Sequence, residues 1–128
     1  MLKQGMTYEV KNDITPSRTA LALGSGGYPV AATPYLVLAV ENAAYTLAQA
    51  EMAEGESTVG TLMNFEHLRA TPEGMSVTAR VTLDETDGKR LVFSFEVCDE
   101  RELVARGTHE RFIVKTEKFL SRAQSKLG

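Results

Sequence analysis

Three side chains in this sequence are of the types that acyl transfer requires: the hydroxyl of Thr33, the carboxylate of Glu41 and the imidazole of His67. Hydrolysis of an ester or thioester needs a nucleophile or activated water, a proton carrier, and donors for the charge that grows on the carbonyl oxygen. Glu41 is the most informative of the three, because it is the only charged residue between Thr33 and Ala50. A carboxylate in apolar surroundings is costly unless it is paired, hydrogen-bonded or protonated, so it marks either a structural ion pair or a reactive group. Thr33 and His67 likewise have plainer readings, as a helix cap and as a satisfied core histidine.

The element that positions Thr33 and Glu41 is a helix. Thr33 suits its cap and Pro34 its first helical position, where a missing N–H costs nothing. Apolar residues follow on nearly every side (Tyr35, Leu36, Val37, Leu38, Val40, Ala43, Ala44, Leu47, Ala48), the pattern of a helix enclosed by protein. Glu41, Asn42, Thr46 and Gln49 interrupt it, and it falls short of the ~20 apolar residues of a bilayer crossing. The free N–H groups and positive end of the helix suit a developing oxyanion. Eight residues nevertheless separate Thr33 from Glu41, ~12 Å along the axis and ~80° around it. Either the chain before Pro34 bends back, or one site draws groups from two subunits; the second is the expectation.

The remaining segments read as a sheet around that helix. Tyr8 to Ile14 suits a first strand, Thr19–Leu23 is an apolar run of open type, and Gly24-Ser25-Gly26-Gly27 is a flexible loop, a lid or an ordinary connector. Thr58 to Leu68 alternates as a strand, with Val59, Thr61, Met63, Phe65 and His67 on one face and Gly60, Leu62, Asn64, Glu66 and Leu68 on the other. Val77, Ala79, Val81 and Leu83 share a strand face, Asp87-Gly88 signals a hairpin, and Leu91, Phe93, Phe95 and Val97 share the next. A last strand spans Leu103 to Val114, and a short basic helical end spans Thr116 to Lys126. This predicts an α+β domain over 1–128 in which an antiparallel sheet wraps one central helix, with a second subunit covering what the sheet leaves bare.

Composition narrows the partners. The chain has 128 residues and a net charge of −3 with both signs interspersed, which argues against nucleic-acid and anionic-membrane binding. The lone Cys98, read as a structural thiol, excludes an internal disulfide, and the polar start carries no apolar signal segment, so the cytoplasm is the expected compartment. No metal is expected: His67 and His109 are the only histidines, on different strands and outside any metal-ligand spacing. The glycine loop lacks the Lys-Ser/Thr of a phosphate loop.

The sequence resembles the hotdog-fold thioesterases, in particular the fluoroacetyl-CoA thioesterase-like family. The resemblance rests on Ala32-Thr33-Pro34-Tyr35-Leu36-Val37 with Glu41-Asn42-Ala43-Ala44, on Ser57-Thr58-Val59-Gly60-Thr61 with His67, on Ala70-Thr71-Pro72-Glu73-Gly74-Met75, and on Gly107-Thr108-His109-Glu110-Arg111. It implies a hotdog fold and hydrolysis of a short or medium acyl-CoA at a homodimer interface, with tetramers left open and no cofactor beyond the substrate's CoA. Thr33, Glu41 and His67 would then be catalytic: Glu41 attacks the carbonyl or activates water, His67 moves protons, and Thr33 orients Glu41 or the substrate. Gly60 would let backbone approach the thioester, Tyr28 would touch substrate, and His109 and Arg111 take a structural or rim role. Where members tuned to a fluorinated acyl group carry aromatics ahead of the catalytic Thr, this chain has Gly24-Ser25-Gly26-Gly27 and only Tyr28, which argues for a more generic acyl group. A non-catalytic acyl-CoA or small-ligand binding module and a dehydratase acting on hydroxyacyl thioesters are the competing readings.

Overall fold

A computed structural model describes residues 1–128. In chain order it contains β1 (Thr7–Asp13), α1 (Ala20–Leu23), α2 (Thr33–Gln49), β2 (Glu56–His67), β3 (Ser76–Thr86), β4 (Arg90–Asp99), β5 (Leu103–Lys115) and α3 (Thr116–Gln124). The strands form one antiparallel sheet in the order β1-β3-β4-β5-β2, and α2 packs against it, the α+β arrangement expected of a hotdog fold. No helix is long and apolar enough to cross a membrane.

Period-two burial builds the sheet side of the core. Val77, Ala79, Val81 and Leu83 of β3 and Leu91, Phe93, Phe95 and Val97 of β4 are all buried, so these strands follow their apolar alternation. The helix answers with Leu36, Ala39, Val40, Ala43, Ala44 and Leu47, where the alanines let its backbone seat close to the sheet. Burying each large side chain contributes roughly 1.5–3 kcal/mol. The β3–β4 hairpin closes where expected: Gly88 takes φ 100°, and the Asp87 carboxylate accepts from the backbone N–H groups of Lys89 and Arg90 at 3.1 and 2.9 Å.

Three expectations change. Thr33 does not cap α2: Ala32 occupies the cap position, Thr33 is the first helical residue, and its hydroxyl is used elsewhere. Second, α2 is not apolar-buried on every side within one chain: Leu38 (56% exposed), Asn42 and Tyr45 (41% exposed) form a stripe along one face that the sheet does not cover, the bare face for which the sequence predicts a second subunit. Third, β2 does not alternate uniformly. Gly60 pairs with Arg111 and Leu62 with Glu110, so Thr61 is an extra residue, and the bulge reverses the facing of everything after it. Thr58 and Gly60 before the bulge therefore share the helix-facing side with Met63, Phe65 and His67 after it, whereas uniform alternation would set Gly60 and His67 on opposite faces. Two open segments are also resolved. Thr19–Leu23 is a helical turn capped by the Thr19 hydroxyl and ended by Gly24 at φ 78°, and the basic C-terminal end is a regular helix.

Gly107 on β5 holds β2 and β4 at their spacing, since a Cβ there would overlap the Asn64 carbonyl oxygen and lie 2.8 Å from the Phe95 ring. Gly107→Ala is expected to destabilise the fold by about 3 kcal/mol, because the clash is with backbone that cannot move aside. Urea unfolding should show a lower midpoint with an unchanged slope.

Candidate active site

The candidate residues assemble into two separate clusters within one chain. At the start of α2 the Thr33 hydroxyl and His67 Nδ1 lie 2.7 Å apart, joining the first turn of the helix to the last residue of β2. His67 Nε2 is buried and has no hydrogen-bond partner. Burial pulls the His67 pKa below its ordinary 6.5, against a smaller opposing effect of the Arg69 backbone, so the ring is neutral at pH 7. A neutral imidazole tied at Nδ1 to a hydroxyl, with Nε2 left without a protein partner, has the protonation state and the free nitrogen that a proton carrier requires.

The second cluster surrounds Glu41, two helical turns further along α2. Glu41 Oε2 lies 2.9 Å from the place a Cβ on Gly60 would occupy, so the glycine lets the carboxylate rest closer to the strand than a side chain there would allow. Arg111, 6% exposed, reaches the same spot from β5: its Nε donates to the Thr58 hydroxyl at 2.9 Å and its Nη2 to the Thr58 carbonyl at 3.1 Å. Nη1 stands 3.2 Å from His109 Nε2 and 3.9 Å from Glu41 Oε2. Because a guanidinium can only donate, His109 Nε2 must accept, which leaves the His109 proton on Nδ1 to donate to the Leu62 carbonyl at 2.8 Å. His109 is accordingly held neutral: burial lowers its pKa, and the Arg111 charge adds to that.

Burial also lowers the Arg111 pKa while the Glu41 carboxylate opposes the shift, and the guanidinium remains a cation. The pair is electrostatic, with no hydrogen bond from Arg111 to Glu41. Glu41 is thus aimed but not neutralised, and its side chain, 43% exposed, borders an open cavity of about 240 Å³ walled by Gly60, Thr61, Leu62, Met63 and His109. The isolated, water-free carboxylate suggested by the apolar sequence does not occur in one chain, since it sits on the uncovered stripe of α2.

The structure therefore brings Thr33 to His67 and Gly60 to Glu41, but not the one pair to the other. Tyr28 lies outside both clusters, with a side chain 74% exposed. His109 and Arg111 are not rim residues, being 1% and 6% exposed against Glu41 and Gly60. Their signal in the sequence was Glu41 itself, which calls for a nearby cation. Cys98 is exposed, with its thiol pushed up by burial and by neighbouring Glu96 and Asp99, the opposite of nucleophile activation.

Comparison with known proteins points one way. A profile of the fluoroacetyl-CoA-specific thioesterase family matches residues 14–117. A fluoroacetyl-CoA thioesterase of Streptantibioticus cattleyicolor is 32% identical over 97 residues, 76% of this chain and 70% of that protein. The solved structure of the fluoroacetyl-CoA thioesterase FlK matches with a TM-score of 0.92 at 27% identity over 98% of both chains. A threonine-to-serine mutant of FlK in complex with acetyl-CoA matches at 0.93 with 26% identity, over 99% of this chain and 100% of that one. A thioesterase superfamily member from Thermus thermophilus matches at 0.88 with 25% identity, over 98% and 95%.

Two outcomes follow from this geometry. Gly60→Ala crowds the Glu41 carboxylate and pushes it aside by about half an ångström, which should lower kcat/KM by about 10-fold with little change in thermal midpoint. The proton-carrying role needs neutral His67, so kcat/KM should fall as pH drops through a value below 6.5. A pH–rate profile whose acid limb lies at or above 6.5 would contradict the assignment.

Proposed function

The chain belongs to the fluoroacetyl-CoA-specific thioesterase family, and we propose that its two half-sites combine across a homodimer to hydrolyse acyl-CoA thioesters. Thioester hydrolysis is the activity of the family. The dimeric site rests on one observation: the Thr33–His67 pair and the Glu41 cluster are separated within a single chain.

The open edge of β2 supplies the means of joining them. β2 is twelve residues long and bonded only to β5, so its other edge is a bare row of backbone donors and acceptors. Two copies can pair antiparallel along it about a twofold axis at Asn64. Opposed residues in such a pair point to the same side, so Met63 of one protomer meets Phe65 of its partner, both helix-facing. The Thr61 bulge then brings His67 of one protomer opposite Gly60 of the other, on that same face. The same docking covers the Leu38, Asn42 and Tyr45 stripe of α2.

In the combined site Glu41 attacks the thioester carbonyl carbon or takes a proton from the water that does. Arg111 holds the carboxylate in place without quenching it. Gly60 leaves room for the acyl carbon, and neutral His67, tied to Thr33, accepts the proton released by the attacking water, directly or by way of Glu41, and passes it to the departing CoA sulfur. Water and thioester are consumed, and acid and free CoA thiol are released; the reaction uses no cofactor beyond the CoA of the substrate. The segment ahead of α2 offers Gly24, Ser25, Gly26 and Gly27 with Tyr28 as its one aromatic, so we assign a short or medium acyl group and not a pocket tailored to fluoroacetate. The unpaired, protonated thiol of Cys98 fits the reducing cytoplasm.

Subunit complementation tests the shared site. Glu41→Gln and His67→Ala should each lower acetyl-CoA hydrolysis by about 10²-fold or more. Mixing and reassociating the two inactive variants should restore about a quarter of wild-type activity, since half the dimers are mixed and each mixed dimer holds one intact site. No recovery, in variants shown by native mass spectrometry to exchange subunits, would place all three residues in one chain's site and defeat the proposal.

A further inference from the structure

Tyr45 stands against the cation that orients Glu41. It follows Glu41 by four positions on α2, so the two side chains leave the helix on one face, a turn apart. The guanidinium carbon of Arg111 sits over the Tyr45 ring, 5.8 Å from its centre. At that range the electron-rich face of an aromatic ring attracts a cation, and more strongly where the cation is shielded from water, as the buried Arg111 is. One turn of α2 therefore brings two groups to Arg111, the Glu41 carboxylate at 3.9 Å from Nη1 and the ring of Tyr45. Tyr45 keeps 41% of its surface exposed, so core packing does not account for an aromatic residue at this position.

The hydrogen bonds of Arg111 all run to the sheet. Nε and Nη2 donate to Thr58 on β2, and Nη1 donates to His109 on β5. From the helix it meets a charge and a ring. Glu41 takes its direction from the Arg111 charge without a hydrogen bond to fix it, so any drift of the guanidinium carries the carboxylate with it. A leucine at position 45 would cover comparable apolar surface and offer the cation nothing, whereas a phenylalanine would keep the attraction. We propose that Tyr45 is a positioning residue of the reaction: its ring steadies the Arg111 cation, and through Arg111 it sets the direction of the Glu41 carboxylate. This rests on the thioesterase reading above, with Tyr45 itself touching no reacting atom.

Tyr45→Leu and Tyr45→Phe separate the ring from its bulk and from its hydroxyl. With acetyl-CoA, Tyr45→Leu should lower kcat about fivefold and leave KM within about twofold, because a misdirected carboxylate slows bond making and not binding, while Tyr45→Phe should keep both constants within about twofold of wild type. In solution NMR the Arg111 Nε–H resonance should move downfield in Tyr45→Leu, where the shielding of the ring is gone, and stay in place in Tyr45→Phe. An unchanged kcat or an unmoved Arg111 resonance in Tyr45→Leu would overturn the proposal. So would an equal loss in Tyr45→Phe, which would assign the effect to the hydroxyl, and a rise in KM alone, which would make Tyr45 a substrate contact. A kcat for Tyr45→Leu that recovers as protein concentration rises would overturn it too, since the ring would then serve assembly. Failure of the wild type to turn over any acyl-CoA would sink the thioesterase reading instead, and the Arg111 resonance would still decide whether the ring holds the cation.

Discussion

The extra residue at Thr61 is the constraint on which the candidate site depends. Gly60 and His67 are seven residues apart on one strand, and an odd separation on a regular strand points side chains to opposite faces. The bulge between Gly60 and Leu62 converts that to a shared face. It is secured from the neighbouring strand, where the Nδ1–H of buried His109 donates to the Leu62 carbonyl. A bulge left to itself weakens pairing, whereas here a side chain that the core holds in one orientation ties down the carbonyl of the residue that follows it.

The same histidine links backbone shape to charge. His109 accepts from Arg111 on one nitrogen and donates to the bulge on the other, so its tautomer is set by both neighbours. Arg111 in turn spends two of its donors on Thr58, whose hydroxyl and carbonyl satisfy a cation that burial would otherwise penalise. What remains for Glu41 is attraction across 3.9 Å, enough to orient the carboxylate and too long to consume a lone pair in a hydrogen bond. A reactive carboxylate needs this middle condition. Bidentate pairing would dull it, and isolation would protonate it.

Much of the fold was legible in the residues because β3 and β4 face the core on one side only, so Val77 to Leu83 and Leu91 to Val97 carry clean alternation. The glycine in the β3–β4 turn was equally plain, since its positive φ excludes most other residues. The bulge left no such mark: threonine is an ordinary strand residue, and one insertion changes facing without changing composition. The stripe of Leu38 and Tyr45 read as enclosed because its residue types are those of a buried face, while its exposure depends on the chain path, which composition does not reveal. Thr33 was the right residue for the wrong reason, as the hydroxyl suited to a cap is equally suited to an imidazole, and only the chain path shows which it meets. Arg111 reads as structural or rim, not as the partner of Glu41, because a lone arginine in a strand usually marks the solvated face and its burial depends on Thr58, far away in sequence.

Dividing the chemistry between the two ends of one helix also affects when the chemistry can occur. A freshly synthesised polypeptide holds a tethered imidazole at one end of α2 and an aimed carboxylate at the other, and under the proposed mechanism neither consumes a thioester unaided. On the proposed dimeric site, activity appears only above an expression threshold set by how tightly copies associate, and at low abundance it grows with the square of the amount made. A shared site of this kind would shield the acyl-CoA pool from stray or half-degraded copies by stoichiometry alone, without an inhibitor.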